Sequence, residues 1–306
     1  MSEIRFSIVI ACYNQEAFIR ESVESALSQG HPDKEIIVVD DCSSDGTANV
    51  LRTFGASINL AILPKNSGVY ASRNHGASLA HGEYLVFLDG DDVLMPWALD
   101  VYCHLVIARC PKIVLGRAVR FHGKVPGANT NDIPNSVQFV EYDHFLAKDR
   151  PGIYNTSALV VNRSHFWSAG GWSHGIFYQD IQDLLVKMGA LGKMIFVLEP
   201  GTVWYRMHST NAVHDVSSFV EGIRVLLANA SAGKYPGGRK RRVERSAWFG
   251  GLALYWAKEA IRTGCYRDGF NLIASGWRMI LLALIRRSMA LLLGRKPIER
   301  LPLRHD

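Results

Sequence analysis

Four short apolar runs, at residues 6–11, 35–39, 59–63 and 84–88, constrain the fold more than any other feature of this chain. They read FSIVIA, EIIVV, NLAIL and YLVFL. Nearly continuous apolar runs of this length mark strands buried on both faces of a parallel sheet. Helical stretches separate them. Ile19, Val23, Ala26 and Leu27 recur at helical spacing and are closed by Gly30 and Pro32. Val50, Leu51 and Phe54 follow a polar loop at 40–47 that is rich in N-cap residues. Residues 70–80 carry an Arg73/Asn74/Ala77 face and stop before Gly82. Strands and helices alternating through short connections predict a mostly parallel α/β sheet, covered on both faces by right-handed crossovers.

Ligands of such sheets sit at the carboxyl ends of the strands. The fourth run ends there in Asp89-Gly90-Asp91-Asp92. Grouped carboxylates repel one another unless a cation lies between them, and oxygen ligands of this kind suit Mg²⁺ or Mn²⁺. Gly90 removes a side chain that would hold a ligand away from the backbone. The alternative is an acidic turn that caps the next helix, with Pro96 in its first turn. Tyr13, after the first strand, and Asp41, after the second, fall on the same edge.

Three stretches, SIVIACYNQEAFIRESVESALSQ, EIIVVDDCSSDGT and NSGVYASRNHGASLAHGEYLVFLDGDD, carry a resemblance. Residues 6–95 resemble the nucleotide-sugar-binding half of the family 2 glycosyltransferases, inverting enzymes with the GT-A fold. The likeness continues more loosely to about residue 215. It implies that Tyr13 stacks on a nucleobase and that Asp41 accepts from the base imide, which favours a UDP-sugar or dTDP-sugar donor. Arg73 is expected to approach the nucleotide and Asp89 to lie near the ribose and metal. Asp91 is expected to bind the Mn²⁺ or Mg²⁺ that bridges the phosphates, and His208 to complete that site, with His214 as a weaker spare.

In the family a Glu-Asp pair supplies the base that deprotonates the acceptor. Here the pair reads Gln179-Asp180. Asp180 is the expected base; Asp183, three residues along the same helix, is the alternative or an assistant. Both acids also suit a helix N-terminus by charge alone. Trp172, after the twin glycines 170 and 171, offers a flat face to an acceptor sugar, or fills the core. The departure at Gln179 also admits a second function, a nucleotide-sugar-binding scaffold without catalysis.

Other chemistries fit less well. An aspartyl phosphotransferase needs Asp-x-Asp-Gly-Thr, and position 43 is Ser. The carboxylate pair of a glycoside hydrolase leaves the nucleotide-facing loops without a purpose. Five cysteines without a C-x-x-C spacing indicate neither a zinc site nor a disulfide framework, so a reducing cytosol is expected. The apolar start is too short for a signal peptide.

The expected domains are a GT-A transferase over 1–215, split into a nucleotide-sugar half (1–110) and an acceptor half (111–215), then a basic helical region over 216–306. Further strands are expected at 112–121, 152–162, 193–198 and 203–208, with a surface loop at 123–136. Much of the net charge of +6 lies after residue 233, and no recognition motif accompanies it, which excludes nucleic acid. A last helix from about 276 to 293 is apolar, but Arg278, Arg286 and Arg287 interrupt it as a membrane span. With Arg295, Lys296, Arg300 and Arg304 it suits an anionic membrane surface; a helical cap or a homo-oligomer contact fits the same residues. The expectation is therefore a cytoplasmic protein, peripheral on the inner membrane, acting on a saccharide or lipid-linked acceptor in surface polysaccharide or glycolipid synthesis.

Overall fold

The first apolar run becomes β1 (Phe6–Cys12), buried along its whole length, with β2 (Lys34–Asp40) on one side and β4 (Tyr84–Asp89) on the other, both parallel to it. A computed structural model describes residues 4–127, 134–147, 154–176, 178–190, 192–208, 216–239, 241–293 and 297–303. β3 (Asn59–Ile62) extends the parallel set beyond β2. The helices between these strands are α1 (Ile19–Leu27), α2 (Thr47–Arg52) and α3 (Val69–Leu79). Residue alternation along β1 decides which helices cover which face. Ile8 and Ile10 pack in one apolar cluster with Ile19 and Val23 of α1, whereas Val9 packs in the other with Ala77 of α3. The doubly covered, mostly parallel α/β sheet is thus present.

Immediately beyond β4 one strand runs against both of its neighbours. β9 (Leu159–Asn162) is antiparallel to both β4 and β6 (Ile113–Leu115), and β10 (Met194–Glu199) is parallel to β6. The strand expected at 112–121 is two strands in different sheets. β6 ends at Gly116, where a Cβ would stand 2.3 Å from Thr202 Oγ1 and 2.5 Å from Tyr102 OH, and the chain turns away there. It resumes as β7 (Ala118–Phe121), parallel to β11 (Val203–Arg206), which pairs on its other side with β5 (Val93–Leu94). This small three-stranded sheet returns the chain to the Asp89–Asp92 loop.

Three strands, the short β5 among them, were not expected. β8 (Ser136–Tyr142) lies antiparallel to β10, and β12 (Glu299–Pro302) lies antiparallel to β8 as the edge of the nine-stranded sheet. The remaining helices are α4 (Ala98–Arg109), α5 (Arg163–Ser168), α6 (Asp180–Gly189), α7 (Val216–Ser231), α8 (Arg242–Arg262) and α9 (Tyr266–Leu293). The expected boundary at residue 215, His214, and the basic residues Lys240, Arg295, Lys296 and Arg304 lie outside the described residues. The helical region does not have a core of its own. Leu226, Trp248 and Leu272 from α7–α9 belong to the same buried cluster as Leu85 and Phe87 of β4. α8 and α9 cross closely at Gly250, where a Cβ would meet the Met279 carbonyl oxygen at 1.9 Å.

α9 is long and apolar enough, by length and composition, to cross a membrane over Tyr266–Met289, and 28% of its most apolar window is buried. Its outer side is unusual. Phe270, Trp277, Leu281, Ile285 and Met289 are each at least half exposed, at 62, 55, 51, 50 and 56%. The arginines divide between the two sides: Arg278 lies in the exposed stripe, whereas Arg286 turns inward to the carbonyls of Leu146 and Glu244.

Candidate active site

At the carboxyl ends of β1, β2 and β4 lies a cleft of about 540 Å³, lined by Tyr13, Asp41, Arg73, Asp89, Asp91 and Asp180 among others. Small-molecule sites run from roughly 300 to 1,000 Å³, so a nucleotide fits. The loops that form its floor are tied to one another. After β1, Asn14 adopts a left-handed backbone (φ 52°), takes the Ser44 amide on its side-chain oxygen at 2.8 Å, and donates its own amide to Ser43 Oγ at 2.9 Å. Tyr13 precedes it and is 46% exposed.

The carboxylates after β2 have different positions. Asp40 is buried and holds Ser43. Asp41 lines the cleft, and its two oxygens accept the Ser67 and Gly68 amides at the start of α3, each at 2.8 Å. A carboxylate offers about four lone-pair sites, so Asp41 retains acceptor capacity toward the cleft.

Arg73 is the hub of the far wall. It donates from Nη2 to Asp89 Oδ1 at 2.7 Å and from Nη1 to Asp180 Oδ2 at 2.5 Å. Burial alone would lower its pKa, but Asp89 and Asp180 outweigh that and raise it. The guanidinium also sits 4.9 Å above the Trp172 ring.

That contact corrects the expectation for Trp172. The indole is 3% exposed, packed edge-on against Phe87 at 5.1 Å, so it supports Arg73 from below and offers no face to a sugar. Its backbone is pinned by Asn74 through two hydrogen bonds of 2.9 and 3.0 Å. Residues 170 and 171 both take positive φ to deliver the chain there.

The two candidate bases separate clearly. Asp180 begins α6 at the cleft wall. Asp183, one turn on, is 2% exposed and does not line the cleft. It accepts from Ser173 Oγ at 2.6 Å and Tyr235 OH at 2.8 Å, and pairs with Lys187 at 3.1 Å. Burial, and then the Asp183 charge, push the Tyr235 phenol up. Asp183 therefore ties α6 to the chain between α7 and α8. Gln179, which departs from the family pattern, is 1% exposed and lies outside the cleft, so it removes no group from it.

The acid cluster after β4 is likewise divided. Asp92 is fully buried, accepting from Ser157 Oγ at 2.5 Å and the Arg206 amide at 3.0 Å; burial, then Asp91 and Asp89, raise its pKa well above the usual carboxylate range. Asp91 faces the cleft, with His208 Nε2 3.0 Å from its Oδ2. Its pKa is raised by burial and by Asp89, against the opposing pull of His208. Tyr205, which also lines the cleft, is pushed up to about 12 by burial and then by these three acids. Gly90 serves packing rather than ligand approach, because a Cβ would meet Gln15 Oε1 at 2.0 Å and Cys12 Cβ at 2.8 Å.

Among the described residues no group of three or more His, Cys, Asp or Glu is preassembled around a metal position. Asp91 and His208 supply an oxygen and a nitrogen side by side. Magnesium-type sites commonly use one or two protein ligands and take the rest from substrate phosphates and water. The like charge of Asp89 near Asp91 on one loop also favours a cation in the cleft. The residues present fit such an ion.

Sequence reasoning missed Arg206. Its guanidinium donates to the Asp91 carbonyl at 2.9 Å and the Gly123 carbonyl at 3.0 Å, pairs with Glu21, and lies 4.9 Å over the Phe18 ring. Phe18 in turn stacks on His208 at 4.9 Å. Arg206 thus fixes both the acid loop and the histidine; no local pattern around residues 203–208 marks it.

The family model for "Glycosyl transferase family 2" matches residues 7–165. EpsH of Bacillus subtilis (strain 168), which carries a glycosyltransferase name, is 34% identical over 246 residues, covering 74% of this chain and 68% of its own. The poly(ribitol-phosphate) beta-N-acetylglucosaminyltransferase TarS of Staphylococcus aureus (strain Mu50 / ATCC 700699) is 35% identical over 169 residues, 53% of this chain. That alignment spans only 30% of TarS, and a match to the B. subtilis (strain 168) teichuronic acid biosynthesis glycosyltransferase TuaG spans 35% of it.

Among solved structures, S. aureus TarS 1-349 in complex with UDP-GlcNAc superposes with a TM-score of 0.65 at 16% identity, over 90% of this chain and 81% of that one. The mannosyltransferase PcManGT from Pyrobaculum calidifontis, in complex with GDP-Man and Mn²⁺, superposes with a TM-score of 0.57 at 16% identity, over 94% and 88%. At such identities these likenesses show a shared fold.

Proposed function

The chain belongs to glycosyl transferase family 2, with the GT-A fold, and on that premise we propose that it is an inverting, metal-dependent transferase using a UDP-sugar. That it is a glycosyltransferase follows from the family. The observation that carries the finer reading is one cleft lined by Tyr13, Asp41, Asp91 and Asp180, with His208 beside Asp91. A dTDP-sugar fits the same base contacts.

Tyr13 stacks on the base and Asp41 accepts its imide N–H. The acceptor hydroxyl attacks the anomeric carbon from the side opposite the diphosphate. Its proton passes to the Asp180 carboxylate as the new C–O bond forms, and the nucleoside diphosphate departs with the electron pair of the bond that breaks. Arg73, tied to both Asp89 and Asp180, positions the base relative to the donor. Asp91 and His208 would hold Mg²⁺ or Mn²⁺, which when bound neutralises charge on the leaving diphosphate. The names of the relatives, teichuronic acid biosynthesis for TuaG and poly(ribitol-phosphate) for TarS, support a role in surface-polymer synthesis.

The test is calorimetric titration of UDP with Mg²⁺ or Mn²⁺ and again with EDTA, followed by NMR assignment of the product anomer. Metal-dependent UDP binding and an inverted product are expected. Retention of configuration, or binding indifferent to EDTA, would sink the reading.

We propose further that the outer side of α9 lies against the cytoplasmic face of an anionic membrane. The apolar stripe through Phe270, Trp277, Leu281 and Ile285 is accompanied by exposed Arg267 and Arg278, and cationic charge beside apolar side chains complements acidic headgroups. Full-length protein should sediment with vesicles containing phosphatidylglycerol and much less with phosphatidylcholine alone. The double variant Trp277→Ser, Leu281→Ser should stay in solution yet bind UDP as before. Equal sedimentation of variant and wild type excludes α9 as the contact.

A further inference from the structure

With Trp172 in the core, a transferase of this kind needs another surface for its acceptor. Three aromatic rings are stacked at the Asp180 end of the cleft. Tyr178 lies parallel to Phe219 of α7, with centroids 5.0 Å apart and planes at 27°; Phe219 lies on Trp256 of α8 at 4.3 Å and 17°. Tyr178 lines the cleft, and its backbone is left-handed, at φ 59°. An L-residue other than Asn or Asp seldom adopts that conformation unless its surroundings enforce it. Here the enforcing contact is a stack supplied by two helices that themselves contribute no residue to the cleft lining.

One face of the Tyr178 ring is covered by Phe219, which leaves the other for the cleft. Tyr178 also stands two residues before Asp180, where an acceptor hydroxyl must arrive to lose its proton. A pyranose has a flat face of C–H groups and hydroxyls at its rim. Such a face packs on an aromatic ring while the hydroxyls remain free to reach polar groups.

We propose that Tyr178, backed by Phe219 and Trp256, is the ledge on which a pyranose unit of the acceptor stacks, presenting its hydroxyl to Asp180. This rests on the transferase reading above. It makes the C-terminal helices part of the acceptor site, and it assigns the acceptor to the carbohydrate class rather than to a bare lipid phosphate.

The probes are the methyl pyranosides of glucose, galactose and N-acetylglucosamine, observed by saturation-transfer NMR on full-length protein saturated with UDP and Mg²⁺. Two variants separate ring from backbone. Tyr178→Phe keeps the ring, and Tyr178→Asn removes it with a residue that tolerates the left-handed conformation. At least one pyranoside should receive saturation on one C–H face with wild type and Tyr178→Phe, and about fivefold less or weaker still with Tyr178→Asn. UDP binding should be the same in all three. Pyranoside contact that is absent from UDP-loaded wild type, or undiminished in Tyr178→Asn, overturns the ledge alone. Wild type that fails to bind UDP overturns the transferase reading, and the ledge with it.

Discussion

Asp180→Asn should bind UDP as wild type does and transfer sugar roughly 10² to 10⁴ times more slowly, the usual range for removing a general base. Asparagine keeps the shape of the side chain at the start of α6 but cannot take the acceptor's proton. The substitution also removes one of the two carboxylates on Arg73, which is 7% exposed along its side chain. A hydrogen bond to a charged group is worth about 1.5–3 kcal/mol, so some loss of thermal stability should accompany the kinetic loss. The two effects separate under measurement: melting temperature reports the ion pair, whereas turnover at saturating donor reports the base. Asp183→Asn gives the contrast. That residue holds Ser173, Tyr235 and Lys187 away from the cleft, so its variant should lose stability first and activity only as the fold loosens. If Asp180→Asn retained more than about a tenth of the wild-type turnover, the proton would be going elsewhere.

Asp91→Ala should show the second large effect, loss of metal-dependent UDP binding. Divalent-ion assistance at a phosphate is worth several kcal/mol. At about 1.4 kcal/mol per factor of ten, UDP should bind about 100-fold more weakly than to wild type, or worse. Wild type in EDTA should behave like the variant in Mg²⁺, and adding Mg²⁺ should then rescue only the wild type. Asp92→Ala is not an equivalent control, because Asp92 anchors Ser157 and the Arg206 amide in the interior. An Asp91→Ala protein that bound UDP normally in Mg²⁺ would remove the ion from Asp91.

The parallel half of the sheet was legible because each buried strand is an apolar run that stops at a polar loop. The position of Tyr13, Asp41, Asp89 and Asp91 on one edge follows from that pattern alone. What stayed hidden depends on partners distant in sequence. Nothing near residue 116 signals that Thr202 and Tyr102 occupy the space a side chain would need, so one expected strand became two. Trp172 reads the same whether it faces solvent or core; Phe87 and Arg73 decide it. The spacing of Asp180 and Asp183 places them on one helical face, yet Tyr235, 52 residues beyond Asp183, draws only the second inward. Arg206 and the Tyr178 stack likewise exist only once α1, α7 and α8 are in place.

One edge strand of the large sheet, β12, follows every other strand of that sheet in the chain. β12 pairs Glu299 with Phe139 and Leu301 with Val137, and Leu303 is buried beside them. While the ribosome is still working through α7, α8 and α9, the β8 flank is an open row of amides and carbonyls next to apolar side chains. Nascent chains in that interval carry a ready template for pairing with one another. The closing strand must come from residues about 160 positions downstream, a separation that makes its docking slow. Removing β12 should therefore leave the β8 flank unpaired and make the chain self-associate more readily, as light scattering would read.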